Sequence, residues 1–379
     1  MAVRAIDISR QGLCGKRFCK RCAIGKVCGG CDNGWCLVYR CRSSVRFVGV
    51  TFPSSACIFR GVCSGDFDGD AVKWLEAAER VVKCSRILER DEPELPLFIP
   101  IVDVLDEVSW VWRFVDVEAV VVKLEPFLES EELVRRFAEI KDRFDFDGKI
   151  LLSSVIPDRF IEEFSVERYL EIAKQLDVDG MFVPDDYTYL DDPYVVSWRN
   201  VFRVVGRAGE LINRLSGEVH LVGLVKGANR KQVTWCVKSQ LDLGLRWFAF
   251  PVRGIPLNIL RHLLEEVLKV FEKTGEKVRL IIYGISPHRL WALKGTVKFL
   301  EWVKVSIATM SWLLYARDNQ AFWKGRFWQL PLEPLYMCNC KFCRGRDLLE
   351  LVESRSALAL HNLVEMRREA ERVLAELRS

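Results

Sequence analysis

Short runs of β-branched and aromatic residues recur along this chain, separated by stretches in which apolar residues fall at helical spacing, and this alternation restricts the fold more than any other feature. The runs are "RFVGVTF" from 46, "PLFIPIVDV" from 96, "AVVVKL" from 119, "KILLSSVI" from 149 and "DGMFVPDD" from 179. They continue with "VHLVGLVKG" from 219, "RWFAFPVRG" from 246, "VRLIIYGI" from 278 and "WVKVSIA" from 302. Between them lie "DAVKWLEAAERVV", "VERYLEIAKQL" and "LNILRHLLEEVLKVFEK", whose apolar positions share one helix face. Strands that are apolar at nearly every position must be buried on both sides, so the amphipathic helices have to cover a parallel sheet. With eight or nine such repeats the expected α/β architecture is a closed (β/α)8 barrel of the TIM type, in preference to an open sheet. Neither GxGxxG nor GxxxxGK[ST] occurs, which leaves dinucleotide and P-loop chemistry without support.

Composition enters the argument through the cysteines. A chain of 379 residues, half of them apolar, suffices for one large core and a small appendage. No apolar run approaches the ~20 residues of a membrane span. The opening "MAVRAIDISRQG" carries no signal-peptide core, so a soluble cytoplasmic protein without a membrane partner is expected. Thiols stay reduced in that compartment, and fourteen cysteines, most of them clustered, point to metal ligation rather than a disulfide framework.

Seven of them lie in "CGKRFCKRCAIGKVCGGCDNGWCLVYRC", at Cys14, Cys19, Cys22, Cys28, Cys31, Cys36 and Cys41. The pairs Cys19/Cys22 and Cys28/Cys31 have the Cys-x2-Cys spacing by which one tight turn offers two thiolates to a tetrahedral ion. Zinc is the default metal for a site drawn from Cys14, Cys19, Cys22, Cys28, Cys31 and Cys36. An iron–sulfur cluster is the alternative, because Cys14, Cys19 and Cys22 also fit a C-x4-C-x2-C opening. Unliganded core cysteines are the plainer reading. Residues 1–45 also hold nine Lys or Arg against Asp7 and Asp32, with Phe18, Trp35 and Tyr39 among them. Such a module suits phosphate and base contacts, and equally a solvated surface. The net charge of +4 is too small to argue for nucleic acid by itself.

A second cluster, "CNCKFC", puts Cys338, Cys340 and Cys343 within six residues, with His361 in "LALHNL" downstream. The expected organisation is a cysteine-rich basic module over 1–45, a barrel over 46–337, and a metal-binding helical subdomain over 338–379. Barrel chemistry belongs at the C-terminal ends of the strands. Those ends carry Ser153 and Ser154, Asp185 and Asp186, Lys226 and Gly227, Arg253, Tyr283, Gly284 and Ser286, then Ser306 and Thr309. Any one of these is ordinarily a loop residue or helix cap. The Asp185/Asp186 pair leaves an apolar strand toward the mouth, where a fixed carboxylate can accept two hydrogen bonds from a planar base edge.

Taken together, the C-x-C-x2-C cluster, the "HNL" helix, "PDD" and the "LVGLVKG" strand end resemble the tRNA-guanine transglycosylase superfamily. That superfamily includes queuine-type and archaeosine-type enzymes and the DNA 7-deazaguanine transglycosylases. The resemblance covers residues 150–379. It implies a structural zinc held by Cys338, Cys340, Cys343 and His361, with a shorter cysteine-to-histidine spacing than usual. Three thiolates and one imidazole leave no open coordination position, so this zinc builds structure and does no chemistry. The resemblance further implies that Asp186, with Asp185 beside it, accepts the N1–H and exocyclic amine of a guanine or 7-deazaguanine. Lys226 stands where the family carries a glutamine that contacts the base, Gly227 keeps the close backbone approach, and "IIYGIS" supplies Gly284.

Family chemistry is base exchange, in which one aspartate attacks C1′ of the ribose and a second acts as general acid and base. Here "SIATMSW" puts Ala308 where the nucleophile belongs, and "LLSSVIP" offers Ser153 at the place of the acid/base. Asp158 and Asp318 are the candidates for a displaced carboxylate, with Asp103 a further one. Two functions of different class follow. One is an active base-exchange enzyme on tRNA or DNA with rearranged acids. The other is a catalytically silent relative that binds nucleic acid, as a homo-oligomer or beside a catalytic partner subunit. A barrel unrelated to the family, with a zinc appendage, is the more distant reading.

Overall fold

Eight of the nine apolar runs form parallel strands that pair in chain order and close on themselves, the last against the first. They are β3 (Phe98–Val102), β4 (Ala119–Lys123), β5 (Lys149–Ser153) and β6 (Gly180–Phe182). The remaining four are β7 (His220–Leu224), β8 (Trp247–Pro251), β9 (Val278–Tyr283) and β10 (Val303–Thr309). This computed structural model describes residues 94–378, apart from 144–145, 163, 216–218, 331–337, 347–349 and 351–352. It also describes two paired strands nearer the start of the chain. The barrel is sealed where β10 meets β3, with Ile307 opposite Phe98, Ala308 opposite Ile99 and Thr309 opposite Pro100.

The ninth run does not enter the barrel. Its residues form β2 (Val50–Pro53), which pairs antiparallel with β1 (Trp35–Val38). Eight strands already satisfy every edge, so a closed barrel has no unpaired strand to which a ninth could add. The barrel strands therefore span Phe98 to Thr309.

Ring contact identifies the inward face. Phe182 on β6 and Tyr283 on β9 belong to strands that are not neighbours, yet their rings meet edge to face with centroids 5.8 Å apart. Both must point into the barrel. Residues paired across parallel strands share a face, so Val222, opposite Phe182, also points inward, and so does Ala308, opposite Tyr283. The period of two carries this outward along β7 to Leu224 and then Lys226. Gly223 has the opposite parity, and a Cβ there would meet the Gln240 amide of the covering helix at 2.6 Å.

The covering helices are α1 (Glu125–Glu129), α2 (Glu131–Arg143), α3 (Asp158–Ile161), α4 (Val166–Gln175) and α5 (Tyr194–Arg214). They continue with α6 (Arg230–Asp242), α7 (Leu257–Thr274), α8 (Pro287–Trp291) and α9 (Ser311–Arg317). Local signals set their ends. The Ser165 hydroxyl accepts from Arg168 N at 3.2 Å to start α4, and Asn229 Oδ1 accepts from Gln232 N at 3.2 Å to start α6. After α9 the chain makes a hairpin, β11 (Gln320–Trp323) and β12 (Arg326–Gln329), before the long α10 (Arg355–Arg378). The hairpin turns through Lys324 and Gly325, at φ 48° and 82°, the two left-handed positions of a tight two-residue connection. Helix α10 packs on α8, α9, β11 and β3, and so covers the seam of the barrel. No described helix is long and apolar enough to cross a membrane.

One buried acid makes the fold sensitive to pH. Asp242 closes α6, and its Oδ2 is buried with no hydrogen-bond partner among the described residues. Burial pushes its carboxyl up to about 7, Lys238 and Arg246 oppose this, and Glu276 adds to it. The folded chain therefore holds this proton more tightly than the unfolded chain does. Stability from this group is complete below the unfolded carboxylate range and is lost as pH rises through about 7. Thermal melts at pH 5 and pH 8 should show the wild type losing stability at the higher pH, and Asp242→Asn losing much less. An equal loss in both proteins would refute the assignment.

Candidate functional site

Cys338, Cys340, Cys343 and His361 converge in the C-terminal part of the structure. All four are buried, and their ligand atoms lie within 4.8 Å of one another. The His361 Nδ1 is 3.5 Å from Cys338 Sγ, 3.5 Å from Cys340 Sγ and 3.2 Å from Cys343 Sγ. A tetrahedral zinc, with Zn–S about 2.3 Å and Zn–N about 2.0 Å, sets nitrogen and sulfur about 3.5 Å apart. The four donors therefore fit a closed zinc site. The amides of Cys343 and Arg344 donate to Cys340 O at 3.1 and 3.0 Å, which folds the knuckle and presents the thiols to one point.

The histidine is oriented from behind. Its Nε2–H donates to Phe322 O at 3.0 Å, leaving the Nδ1 lone pair toward the thiols. The next residue, Asn362, accepts from Phe322 N at 2.6 Å and donates to Trp312 O at 3.2 Å and Gln320 O at 2.9 Å. Consecutive residues of α10 thus hold both polar groups of one residue in β11. Sequence reasoning named His361 and passed over Asn362, although "HN" inside an apolar helix face is itself a signal that both side chains need buried partners. In the metal-free state burial works against charge on His361, but its bonds to Cys338 and Cys340 outweigh this and push it up to about 9. Hydrogen bonds from Cys338 and Cys343 hold the Cys340 thiol well below the usual range.

The centre is tied to one lip of the barrel. Lys341, inside the knuckle, donates to Phe114 O, and Arg355 at the start of α10 donates to Asp106 Oδ2 at 2.6 Å. Arg317 of α9 reaches the same Asp106 oxygen at 2.7 Å. Asp103, which follows β3, accepts from Leu105 N at 3.1 Å and lies 3.9 Å from Arg317.

At the mouth, the two adjacent aspartates have different fates. Asp186 is fully buried and turned toward α5, where Arg203 holds its Oδ1 at 3.0 Å and stands 2.7 Å from Oδ2. Arg207 is 3.8 Å from that second oxygen, and Tyr187 N donates to Oδ1 at 3.0 Å. Asp185 instead meets Lys226, whose Nζ is 2.7 Å from Oδ1. The Asp186 amide donates to the same Oδ1 at 2.7 Å. Asp186 Oδ2 is buried and accepts no hydrogen bond among the described residues, its contact with Arg203 being an ion pair. Burial pushes both carboxyls up, with Lys226 opposing the shift at Asp185 and Arg203 opposing it at Asp186. The i, i+4 arginines of α5, which neutralise Asp186, were not singled out from sequence, although their spacing places them on one face behind "PDD".

Around this pair, Tyr283 points inward against Ser153, and burial pushes its phenol up to about 12 while the Ser153 hydrogen bond opposes. Lys123 closes β4 opposite Ser153, and it too was missed; its signal is a cation at the last position of an otherwise apolar strand. Gly227 has φ +148°, and a Cβ there would lie 2.7 Å from Gln232 Cβ and 2.8 Å from Val233 N, so the start of α6 admits only glycine. Gly284, at φ +83°, faces Arg253, with 3.3 Å from a built Cβ to the arginine's own.

The candidate catalytic acids do not gather. Ala308 faces the interior beside Tyr283 and is fully buried. Asp158 begins α3 and accepts from the Tyr189 hydroxyl on the rim. Asp318 follows the last residue of α9, and its carbonyl accepts from Gln329 of the hairpin at 3.2 Å, so it sits by the zinc subdomain. The calls on Cys14, Cys19, Cys22, Cys28 and Cys31 lie outside the described residues, and Cys36 falls in β1, where only the backbone is described. No model of a known protein family matches the chain, and no curated protein matches it.

The metal site is testable on its own. Cys340→Ser should lower bound zinc, measured by elemental analysis, and speed amide exchange in α10 and β11. Zinc should also leave the wild type as pH falls, because protons compete for thiolate and imidazole. Unchanged zinc content in the variant would refute the ligand assignment.

Proposed function

We propose that the barrel mouth takes a guanine-type base within tRNA or DNA, and that the isolated chain does not carry out aspartate-based exchange. One observation carries this reading: Asp185 is buried at the mouth, and among the described residues its carboxylate is met through Oδ1, by Lys226 and a backbone amide. A guanine or 7-deazaguanine edge presents two adjacent N–H donors, the complement of one carboxylate held still. The resemblance set out above assigned that task chiefly to Asp186. Asp186 is engaged by two arginines of α5 and Asp185 by one lysine, which favours Asp185 instead.

Lys226 opposes the cost of burial at this carboxylate, since an opposite charge at hydrogen-bond distance favours the charged form. Tyr283, Ser153 and the backbone at Gly227 and Gly284 frame the space in which a planar ring would lie. Cations at Lys123, Lys226 and Arg253 suit a phosphate-bearing ligand, and the basic N-terminal stretch adds to that charge.

A second reading has its own support. Ala308 at the inward position beside Tyr283 carries no group that can attack C1′, which favours a binding subunit that works beside a catalytic partner. Both readings share the base site, and exchange chemistry separates them.

Two measurements test the proposal. Equilibrium binding of guanine and 7-deazaguanine should weaken about 10- to 100-fold in Asp185→Ala, since each unpaired buried donor costs about 1–3 kcal/mol. Asp186→Ala should chiefly lower the melting temperature, by stranding Arg203 and Arg207. With labelled guanine and tRNA or DNA, the isolated chain should incorporate no label. Base affinity that is indifferent to Asp185 would overturn the site, and robust incorporation would overturn the mechanism.

A further inference from the structure

We infer that residues 1–34, the basic cysteine-rich start of the chain, dock in cis on an exposed apolar patch at the first turn of α5, beside the barrel mouth. The docking stands on its own observations, and only its consequence for a nucleic acid rests on the base reading above.

Tyr189, Leu190, Tyr194 and Val195 lie within seven residues and are all exposed, Tyr194 by 60% and Val195 by 78%. Single exposed apolar side chains are ordinary, whereas a contiguous group rimmed by polar residues marks a contact surface. Behind the patch runs an aromatic seam between α5 and α6, in which the Trp198 ring lies 6.2 Å from Tyr194 and 5.9 Å from Trp235. The same part of α5 walls the mouth: Asn200 donates to Tyr187 O at 2.7 Å and Arg203 to Asp186 Oδ1 at 3.0 Å.

Two observations choose the occupant. The first is connectivity: β2 packs against α5, and Trp35, where the segment joins β1, pairs with Pro53 at the end of β2. A helix of 21 residues is about 31 Å long, a distance that about ten residues of extended chain cover. Residues 1–34 therefore reach the first turn from any point along α5. The second is charge. Asp158, Glu162, Asp191 and Asp192 surround the patch, Asp191 and Asp192 by sequence and the others through its tyrosines. The Tyr189 hydroxyl donates to Asp158, its amide donates to Asp192 Oδ2 at 2.7 Å, and the Tyr187 hydroxyl lies 3.5 Å from Glu162. The Asp158 bond, burial, and the charges of Asp158, Asp192 and Asp185 push the Tyr189 phenol up to about 12, in keeping with a negative rim. Against these acids the first two turns of α5 present one exposed cation, Arg199. Residues 1–34 carry seven Lys or Arg against Asp7 and Asp32, with Leu13 and Phe18 among them, so they match the rim in charge and the patch in character. A phosphate backbone would meet the four carboxylates with like charge, which sets nucleic acid aside as the occupant of this face. Docked here, the segment brings its cations to the lip of the mouth and reverses the field that an incoming phosphate meets.

The test uses the full chain, as an equal mixture of unlabelled and heavy-nitrogen protein, treated with a water-soluble carbodiimide that condenses lysine amines with touching carboxylates. Mass spectrometry should find Lys16, Lys20 or Lys26 joined to Asp158, Glu162, Asp191 or Asp192, in peptide pairs of a single isotope. This readout needs no variant to fold. The double substitution Tyr194→Ser and Val195→Ser, at exposed positions, should lower the yield of these links several-fold while melting temperature and zinc content stay at wild-type values. An unchanged yield would overturn the patch as the dock. Pairs of mixed isotope would make a second copy the occupant, and an absence of links from residues 1–34 to this rim would leave the segment elsewhere; either overturns the inference. Links that vanish on adding a single-stranded oligonucleotide would give the face to nucleic acid and overturn it too. Equilibrium binding of free guanine to the same wild-type chain reads the base site separately: its failure removes the base reading and the consequence for nucleic acid, while the cross-links alone decide the docking.

Discussion

Hydrogen-bonded closure of eight parallel strands is the constraint on which the rest of this structure depends. Once Ile307 sits opposite Phe98, every strand has a fixed register to its neighbours, and the alternation of side chains decides what faces the interior. A one-residue shift of β9 against its neighbours would turn Tyr283 outward, and the same shift of β10 would turn Ala308 outward. The polar character of the mouth is thus a property of the ladder as much as of the residues. Apolar side chains such as Leu151, Leu224 and Ile281 line the barrel below the mouth.

Burial at the mouth has a cost, and the two aspartates meet it differently. Both lose hydration, which raises both carboxyls. Asp186 is compensated by arginines from α5, outside the barrel wall, and becomes a strut between strand end and helix. Asp185 is compensated by a lysine from the adjacent strand, inside the wall. One dipeptide therefore supplies both an anchor to α5 and a buried ion pair at the mouth.

Much of this was legible in the sequence. The eight barrel strands were found because strands buried on both faces leave continuous apolar runs, and the Cys338, Cys340, Cys343 and His361 cluster because three thiols in six residues have few uses other than to hold a metal. The ninth run, from 46, was misplaced because its local pattern is the same as theirs, and only closure, a global property, excludes it. Choosing between Asp185 and Asp186 required knowing where α5 packs, which no local pattern encodes. Lys123 escaped notice because a single cation at the end of a strand is ambiguous until its parity is known. Asn362 escaped because its partners, Trp312, Gln320 and Phe322, are distant in sequence.

The seam between β10 and β3 also governs how the chain is made. Residues 98 and 307 must meet, so a ribosome has to deliver nearly the whole barrel before the sheet can close, and until then both edge strands are exposed to other chains. Contacts this distant in sequence form slowly, because the loop they close must be ordered first. Helix α10 comes last and lies over the finished seam, pinned to β11 by His361 and Asn362. Capture of a metal by the knuckle is therefore placed to make the final step of folding hard to reverse.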